Sequence, residues 1–289
     1  FEAQAGSKIM KQALLIWLCW SVTVFADITV VDDSGAKVVL AEPAGKIVSL
    51  SPHLTELLFS LGVGDRIEAT VDFSDYPEAA LDIPRLGNAF SVSVEAVIEQ
   101  SPDLIVAWMT GGNHRTFEQL RALGYPVFVN EASSLVGIAV AVEQLGILVG
   151  KPVRGLELAE NFRVDLEKLR QSSSGAGSPK VFFQISDAQL YTVNSQHLIG
   201  QAIEVCGANN IFSGVDFLVP MVSYESVVER NPDVLVVSSP YPGYKSAWDD
   251  RWNDLGWGGR VRTIDASLIT RPSLRMLDGI KMLCETLGQ

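Results

Sequence analysis

Residues 92–106, VSVEAVIEQSPDLIV, return 130 residues later as VSYESVVERNPDVLV at 222–236, with eight of fifteen positions identical. In each copy a serine, Ser93 or Ser223, stands at the N-cap position of a short helix. Pro102 or Pro232 then ends the helix, and an apolar strand begins. Two copies of one helix-strand unit predict two lobes of similar build.

The rest of the chain alternates strands and helices around this repeat. Apolar runs rich in β-branched residues begin near positions 46, 103, 125, 180, 233 and 260, with amphipathic stretches between them. This rhythm is typical of an α/β fold with central, mainly parallel sheets. Residues 151–173 read as one long helix with Pro152 in its first turn. We expect an N-terminal lobe at 27–150, this interlobe helix, and a C-terminal lobe at 174–289 around a stiff cleft.

The N-terminal residues indicate export. Residues 10–26 combine a lysine, a short apolar run and a small residue at the end, which is the pattern of a secretory signal peptide cleaved near Ala26. The whole chain carries a net charge of −12, and the mature chain would carry −13 because two lysines and one glutamate leave with the peptide. So acidic a protein repels phosphate backbones, which argues against nucleic acid as a partner.

The mature chain keeps two cysteines, Cys206 and Cys284. In an oxidising compartment we expect them to form a disulfide, which would stabilise the fold by roughly 4 kcal/mol in the chain-entropy model. The alternative is a pair of buried free thiols. Mass spectrometry after reduction and alkylation distinguishes the two.

The sequence lacks the common catalytic motifs. It contains no phosphate-binding loop, no dinucleotide fingerprint and no nucleophile elbow. The histidines have no second metal ligand at a suitable spacing, so we expect no metal site; they are His53, His114 and His197. A secreted enzyme stays possible if acid and base groups meet in space. Capture of a small molecule between two lobes explains the chain better.

Several segments together resemble the periplasmic cobalamin-binding proteins of ABC importers. They include KIVSLSPHLTELLFSLGVGDRI, FSDYP, PDLIVAW, YTVNSQHLIGQAIEVCGANNIF and RPSLRMLDGIKMLC, and they cover nearly the whole mature chain in order. The resemblance implies a class III periplasmic binding protein, with two lobes joined by one backbone helix. It further implies a monomer in the periplasm that carries a corrinoid as its ligand, holds no cofactor and catalyses no reaction.

The resemblance also implies which residues meet the ligand. The matching positions are Tyr76, Trp108, Tyr191 and Arg271. Ala89 and Val219 stand where the best-known cobalamin binder has tryptophans, although Phe90 adjoins the first. Other roles stay open at this stage, namely core packing for Trp108, a turn position for Tyr76 and a surface salt bridge for Arg271. Aromatic side chains suit a corrinoid because they bury wide flat area with little loss of rotamer entropy.

Glu95 and Glu225 occupy the same place in the two copies of the repeat. In the resembling family, the matching glutamates seat the binding protein on arginines of a permease dimer with its ATPase subunits. A simpler reading is that each carboxylate only complements a helix dipole. The nearest alternative ligands are haem and a ferric siderophore, with Tyr76, Tyr191 or His114 touching iron.

Overall fold

The computed structural model describes residues 27–173 and 177–288, so the predicted signal peptide at 10–26 lies outside it. Its first lobe begins with an antiparallel hairpin and continues as alternating strands and helices. The elements of this lobe are β1 (Ile28–Val31), β2 (Lys37–Leu40), β3 (Ile47–Ser49), α1 (Pro52–Ser60), β4 (Ile67–Ala69), α2 (Val94–Glu99), β5 (Leu104–Trp108), α3 (His114–Ala122), β6 (Val127–Asn130) and α4 (Leu135–Leu148).

The second lobe follows a long helix, α5 (Pro152–Ser172), and repeats the alternation. Its elements are β7 (Lys180–Gln184), α6 (Leu198–Val205), β8 (Asn209–Asn210), α7 (Tyr224–Arg230), β9 (Val234–Ser239), α8 (Asp249–Asp254), β10 (Val261–Asp265), α9 (Ala266–Ile269) and α10 (Met276–Thr286). All six apolar runs noted in the sequence are strands. The sequence reading missed the hairpin and the short strands β4 and β8.

The two lobes have sheets of the same topology. The first sheet has the order β4-β3-β5-β6 and the second the order β10-β9-β7-β8. Numbered along the chain within each lobe, both orders read 2-1-3-4, and every pairing in them is parallel. The predicted α/β fold with two similar lobes and parallel sheets is therefore confirmed.

The repeated segment occupies the same place in each lobe. The hydroxyls of Ser93 and Ser223 accept hydrogen bonds from backbone N–H groups three residues on, both at 3.1 Å. Val97 and Val227 at the centre of α2 and α7 are fully buried. Each helix leads into the third strand of its four-stranded sheet, which explains why the sequence repeats there.

Helix α5 connects the lobes and lies against α4 with its backbone in close contact. A Cβ atom added to Gly155 would lie only 2.9 Å from the carbonyl oxygen of Val142. Buried side chains of both lobes, including Leu54 of α1, Phe162 of α5 and Ile280 of α10, belong to one continuous core. We propose that residues 151–173 divide the two lobes. Because the core continues through this helix, the lobes should move little relative to each other.

Cys206 and Cys284 form a disulfide that joins the C-terminal end of α6 to α10. The predicted bond is therefore present. In the described ranges, no helix is both long and apolar enough to cross a membrane.

Candidate functional site

The carboxyl ends of the strands in the two sheets face each other. We call the region where the two lobes meet there the seam. Helix α1 starts directly after β3, and its Glu56 binds residues that follow β10. After β6, Ser133 accepts a hydrogen bond from the side-chain amide of Gln201 in α6 at 3.0 Å. In open α/β sheets, ligands bind outside the carboxyl ends of the strands. The seam between the lobes is therefore the candidate site.

Trp108 is the last residue of β5 and lies half-buried at this edge. The face of its indole covers Gly111, since a Cβ atom there would fall 1.7 Å from Cε3 of the ring. The indole meets the ring of His53 in a T-shaped contact, with 5.4 Å between ring centroids and an interplanar angle of 89°. Glycine at 111 and an aromatic neighbour at 53 hold the indole in one orientation, which suits a rigid binding platform.

His53 is buried beneath Trp108 with both ring nitrogens bonded. The amide nitrogen of Asn130 donates to Asp33 at 2.9 Å, so its Oδ1 must accept from Nε2 of His53 at 3.2 Å. Nδ1 is then the acceptor for the hydroxyl of Ser51 at 2.6 Å. Burial lowers the pKa of His53, the bond to Asn130 raises it and the charge of Arg271 lowers it, for a pKa of about 4. The ring is neutral at neutral pH.

This histidine should make the protein sensitive to acid. Its pKa is about 4 in the folded protein and about 6.5 unfolded, so the unfolded state binds more protons between these values. Its contribution is complete above pH 6.5, and about 3 kcal/mol of the free energy of unfolding should be lost as the pH falls to 4. Urea unfolding at pH 7.0 and 4.5 measures the loss. The variant His53→Gln should show a weaker pH dependence, and an identical dependence would contradict the assignment.

A buried cluster of charges crosses the seam next to Tyr76. Glu56, only 3% exposed, accepts hydrogen bonds from Arg271 at 3.0 Å, Arg275 at 3.1 Å and the hydroxyl of Ser273 at 2.5 Å. Arg271 also pairs with Asp75 at 2.6 Å. Burial favours the neutral carboxyl of Asp75, but the guanidinium of Arg271 outweighs it and lowers the pKa of Asp75. Two cations and two anions thus compensate one another.

Arg271 therefore has carboxylates as partners, and its side chain is 15% exposed. Burial alone would lower the pKa of Arg271, but Asp75 and Glu56 raise it. The guanidinium stays charged at any physiological pH. Its contact with a ligand remains a proposal, and its structural role as an ion-pair partner between the lobes is plain.

Tyr76, Phe90 and Tyr191 lie in loops that follow strands β4 and β7. Tyr76 is 44% exposed, and the guanidinium of Arg275 lies 3.5 Å from the centre of its ring. Phe90 is 61% exposed, and Asn113 from the loop after Trp108 donates to its carbonyl oxygen at 3.4 Å. Tyr191 follows β7 and forms an isolated antiparallel bridge with Met221. The fold thus brings aromatic side chains of both lobes to one edge of each sheet.

The departures from the resembling family lie on the same edges. Ala89 packs against the core of the first lobe, whereas Val219 is 40% exposed. Two exposed phenylalanines nearby escaped the sequence reading. Phe73 precedes Tyr76 with a φ of 65°, and Phe217 precedes Val219 and is 76% exposed. Their closeness in sequence to Tyr76 and Val219 was the available signal.

Glu95 and Glu225 each line a surface groove. The groove at Glu95 is formed with Val94, Thr116, Gln119 and Leu123. The groove at Glu225 is formed with Met221, Tyr224, Trp248 and Arg251. Each glutamate lies in the first turn of its helix, and each helix leads back to the start of a strand. Both carboxylates are exposed, one on each lobe.

The aromatic cluster of α8 has a different role. Trp252 is fully buried, and its ring lies 5.3 Å from Tyr224 and 6.2 Å from Phe182. Trp248 also stacks on Tyr224, with 6.4 Å between ring centroids, so both indoles pack within the second lobe. Over the described ranges, no group of three or more histidine, cysteine or carboxylate side chains is arranged to hold a metal ion.

Comparison with known proteins gives consistent matches. The profile of periplasmic binding proteins matches residues 47–259. The vitamin B12-binding protein of Vibrio campbellii is 34% identical over 245 residues, which are 84% of this chain and 89% of that protein. The crystal structure of the periplasmic vitamin B12 binding protein of Vibrio cholerae superposes with a TM-score of 0.77 at 30% identity, covering 85% of this chain and 97% of that one.

A haem-binding protein shares the fold at greater sequence distance. The periplasmic haem binding protein of Vibrio cholerae is 22% identical with a TM-score of 0.74, covering 84% of this chain and 99% of that chain. This likeness concerns the fold alone.

Proposed function

Because the chain belongs to the periplasmic binding protein family, we propose that it captures cobalamin or a related corrinoid between its lobes and delivers it to an inner-membrane ABC importer. Proteins of this family bind and carry solutes, so the protein is not an enzyme. Cobalamin is the transported ligand and not a cofactor. The observation that carries the proposal is that Glu56, Asp75, Arg271 and Arg275 pair with one another at the seam, beside the exposed ring of Tyr76.

The charges of the cleft favour a ligand without net negative charge. Glu56 and Asp75 compensate Arg271 and Arg275. An anionic siderophore or the propionates of haem call for free basic side chains, because charge-assisted hydrogen bonds supply most of the affinity for such groups. A corrinoid offers flat apolar faces and a rim of neutral amides instead. Trp108, Tyr76, Phe90 and Tyr191 match such faces, and Arg271 would meet the rim.

The finer features of this role are also proposals. The signal peptide would be removed near Ala26, and the mature protein would act as a monomer in the periplasm. Glu95 and Glu225 would bind basic residues of a permease dimer that carries its ATPase subunits. Support comes from the equivalent positions of the two carboxylates, each exposed at the first turn of a helix and beside a groove.

Titration of the purified mature protein with cyanocobalamin tests the proposed function. We expect saturable binding of one corrinoid per chain, followed by calorimetry and by quenching of tryptophan fluorescence. Haem and a ferric hydroxamate serve as competitors, and neither should displace the corrinoid. Binding of haem with a shifted Soret band, and none of cyanocobalamin, would replace the proposal with the haem alternative.

Replacement of Trp108 measures the contribution of the platform. Trp108→Ala should weaken cyanocobalamin binding by about 1 to 3 kcal/mol, because the ligand loses the apolar area that the indole covers. Trp257→Ala is the matched control, since this indole packs on Trp252 in the second lobe. An affinity unchanged by Trp108→Ala would assign the indole to the core.

A further inference from the structure

Tyr76, a proposed ligand contact of the first lobe, is held in place by the second lobe. The guanidinium of Arg275 lies 3.5 Å from the centre of the tyrosine ring, which is the geometry of a close cation–π contact. Arg275 belongs to the start of α10, whereas Tyr76 lies in the loop after β4. One face of the ring is covered by the cation, and the residue is still 44% exposed. A ligand can therefore reach the part of the ring that the cation leaves open.

Arg275 is itself fixed by a buried carboxylate. Its Nη1 donates to Oε1 of Glu56 at 3.1 Å, and the same oxygen accepts from Arg271 at 3.0 Å. The other oxygen of Glu56 accepts from Ser273 at 2.5 Å. A buried carboxylate with three donors has little freedom to move, since breaking any one bond leaves charge uncompensated. Glu56 thus determines where both guanidinium groups lie.

The two arginines hold adjacent residues of the same loop. Arg271 pairs with Asp75 at 2.6 Å, and Arg275 stacks on Tyr76. The loop is further tied at Ser74, whose carbonyl oxygen accepts from Arg85 at 2.7 Å. Separation of the lobes at this seam would remove the cation from the ring and the partner from Asp75. The position of the tyrosine ring therefore depends on contact between the lobes.

From this geometry we infer that Arg275, held by Glu56 across the seam, is a positioning residue that sets the orientation of the Tyr76 ring for ligand binding. The inference rests on the proposed function, in which Tyr76 contacts the corrinoid. Arg275 acts through the tyrosine, so its replacement should matter only while the tyrosine is present. Lysine should substitute in part, because it keeps the cation but loses the planar stack.

The first test reads the ring without ligand. In protein labelled with 3-fluorotyrosine, the ¹⁹F resonance of Tyr76 is assigned with Tyr76→Phe. Arg275→Met should shift this resonance and leave those of the other tyrosines in place, and Arg275→Lys should return it toward its original position. Glu56→Gln, which removes the charge that holds Arg275, should shift it as well. A resonance unmoved by both Arg275→Met and Glu56→Gln would overturn the inference.

The second test is a double-mutant cycle with cyanocobalamin as the probe. Arg275→Met should lower the affinity by about 5- to 10-fold in the wild-type background, as expected for loss of one partly buried cation–π contact. In the Tyr76→Ala background it should change the affinity by less than about twofold, because interacting residues are not additive. Equal losses in both backgrounds would show that Arg275 acts independently of the tyrosine.

Arg230→Met is the matched control. Its guanidinium lies 4.6 Å from the ring centre of Phe212, at the C-terminal end of α7 in the second lobe. It should alter neither the affinity nor the resonance of Tyr76. Failure of the wild-type protein to bind cyanocobalamin would reject the proposed function, and the fluorine spectra would still decide whether Arg275 orients the ring.

Discussion

Reversal of charge at both Glu95 and Glu225, by Glu95→Lys with Glu225→Lys, should abolish delivery to the importer while cyanocobalamin binding is unchanged. These two residues form two acidic corners of the protein. Both carboxylates are exposed in the first turns of α2 and α7, one on each lobe. If each meets a basic group of the permease, reversal replaces an attraction with a repulsion that costs several kcal/mol at each corner. The affinity for the importer should fall by more than about 100-fold.

The chain supplies a matched control for this experiment. Glu99 and Glu229 lie one turn further along the same two helices, and they too are equivalent in the repeat and exposed. Glu99→Lys with Glu229→Lys changes the net charge by the same amount without touching the first turns. Affinity for the importer in nanodiscs and vitamin B12 uptake by cells report the outcome. Equal effects of the two double variants would mean that overall charge, and not the two corners, governs docking.

Each single reversal should also lower the affinity for the importer, and the side chains of the two grooves predict which reversal has the larger effect. The groove at Glu225 contains Tyr224, Trp248 and Arg251, with the guanidinium 4.6 Å from the centre of the Trp248 ring. The groove at Glu95 contains smaller side chains such as Val94 and Thr116. Tryptophan, tyrosine and arginine dominate binding energies at protein interfaces. The corner at Glu225 should therefore contribute more to the affinity for the importer than the corner at Glu95.

Removal of the disulfide should produce the largest loss of stability. Cys206 and Cys284 are 78 residues apart in the sequence, and a cross-link of that span should stabilise the fold by about 4 kcal/mol by restricting the unfolded chain. The closed loop includes Arg271 and Arg275, so the segment that crosses the seam lies within it. The double variant Cys206→Ala with Cys284→Ala should unfold at a markedly lower urea concentration.

Reduction provides the control for the disulfide. Dithiothreitol should lower the urea midpoint of the wild-type protein toward that of the double variant and leave the variant unchanged. A second double variant with serines separates the loss of the bond from the loss of buried volume, since both residues are at most 5% exposed. The reduced state of both cysteines is confirmed separately. If the urea midpoint of the wild-type protein then stays unchanged, the expected stabilisation of about 4 kcal/mol is contradicted.

The sequence predicted the architecture because local patterns encode it. Ser93 and Ser223 signal the starts of α2 and α7, and the apolar runs signal strands covered on both faces. These patterns depend on neighbours within a few residues, so they can be read along the chain. The hairpin β1–β2 was missed because its alternation of buried and exposed residues is only four residues long in each strand. Strand β8 has only two residues.

Partners across the seam could not be read in the same way. Arg271 was expected to contact the ligand, and the fold pairs it with Glu56 and Asp75, 215 and 196 residues away along the chain. Nothing local marks Glu56, which precedes two leucines in α1, as the buried anion that two arginines require. His53 likewise gave no sign that burial near Trp108 would keep its ring neutral, with Ser51 and Asn130 as its hydrogen-bond partners.

The amino-acid sequence by itself determined the two lobes, the long connecting helix, the cysteine pair and the equivalent carboxylates Glu95 and Glu225, because spacing and repetition are properties of the chain. Only the tertiary structure decided that the charges of the cleft are paired and that Arg275 covers Tyr76. Electrostatic interactions depend on distance in space and on burial, and both are fixed only when residues from opposite lobes meet.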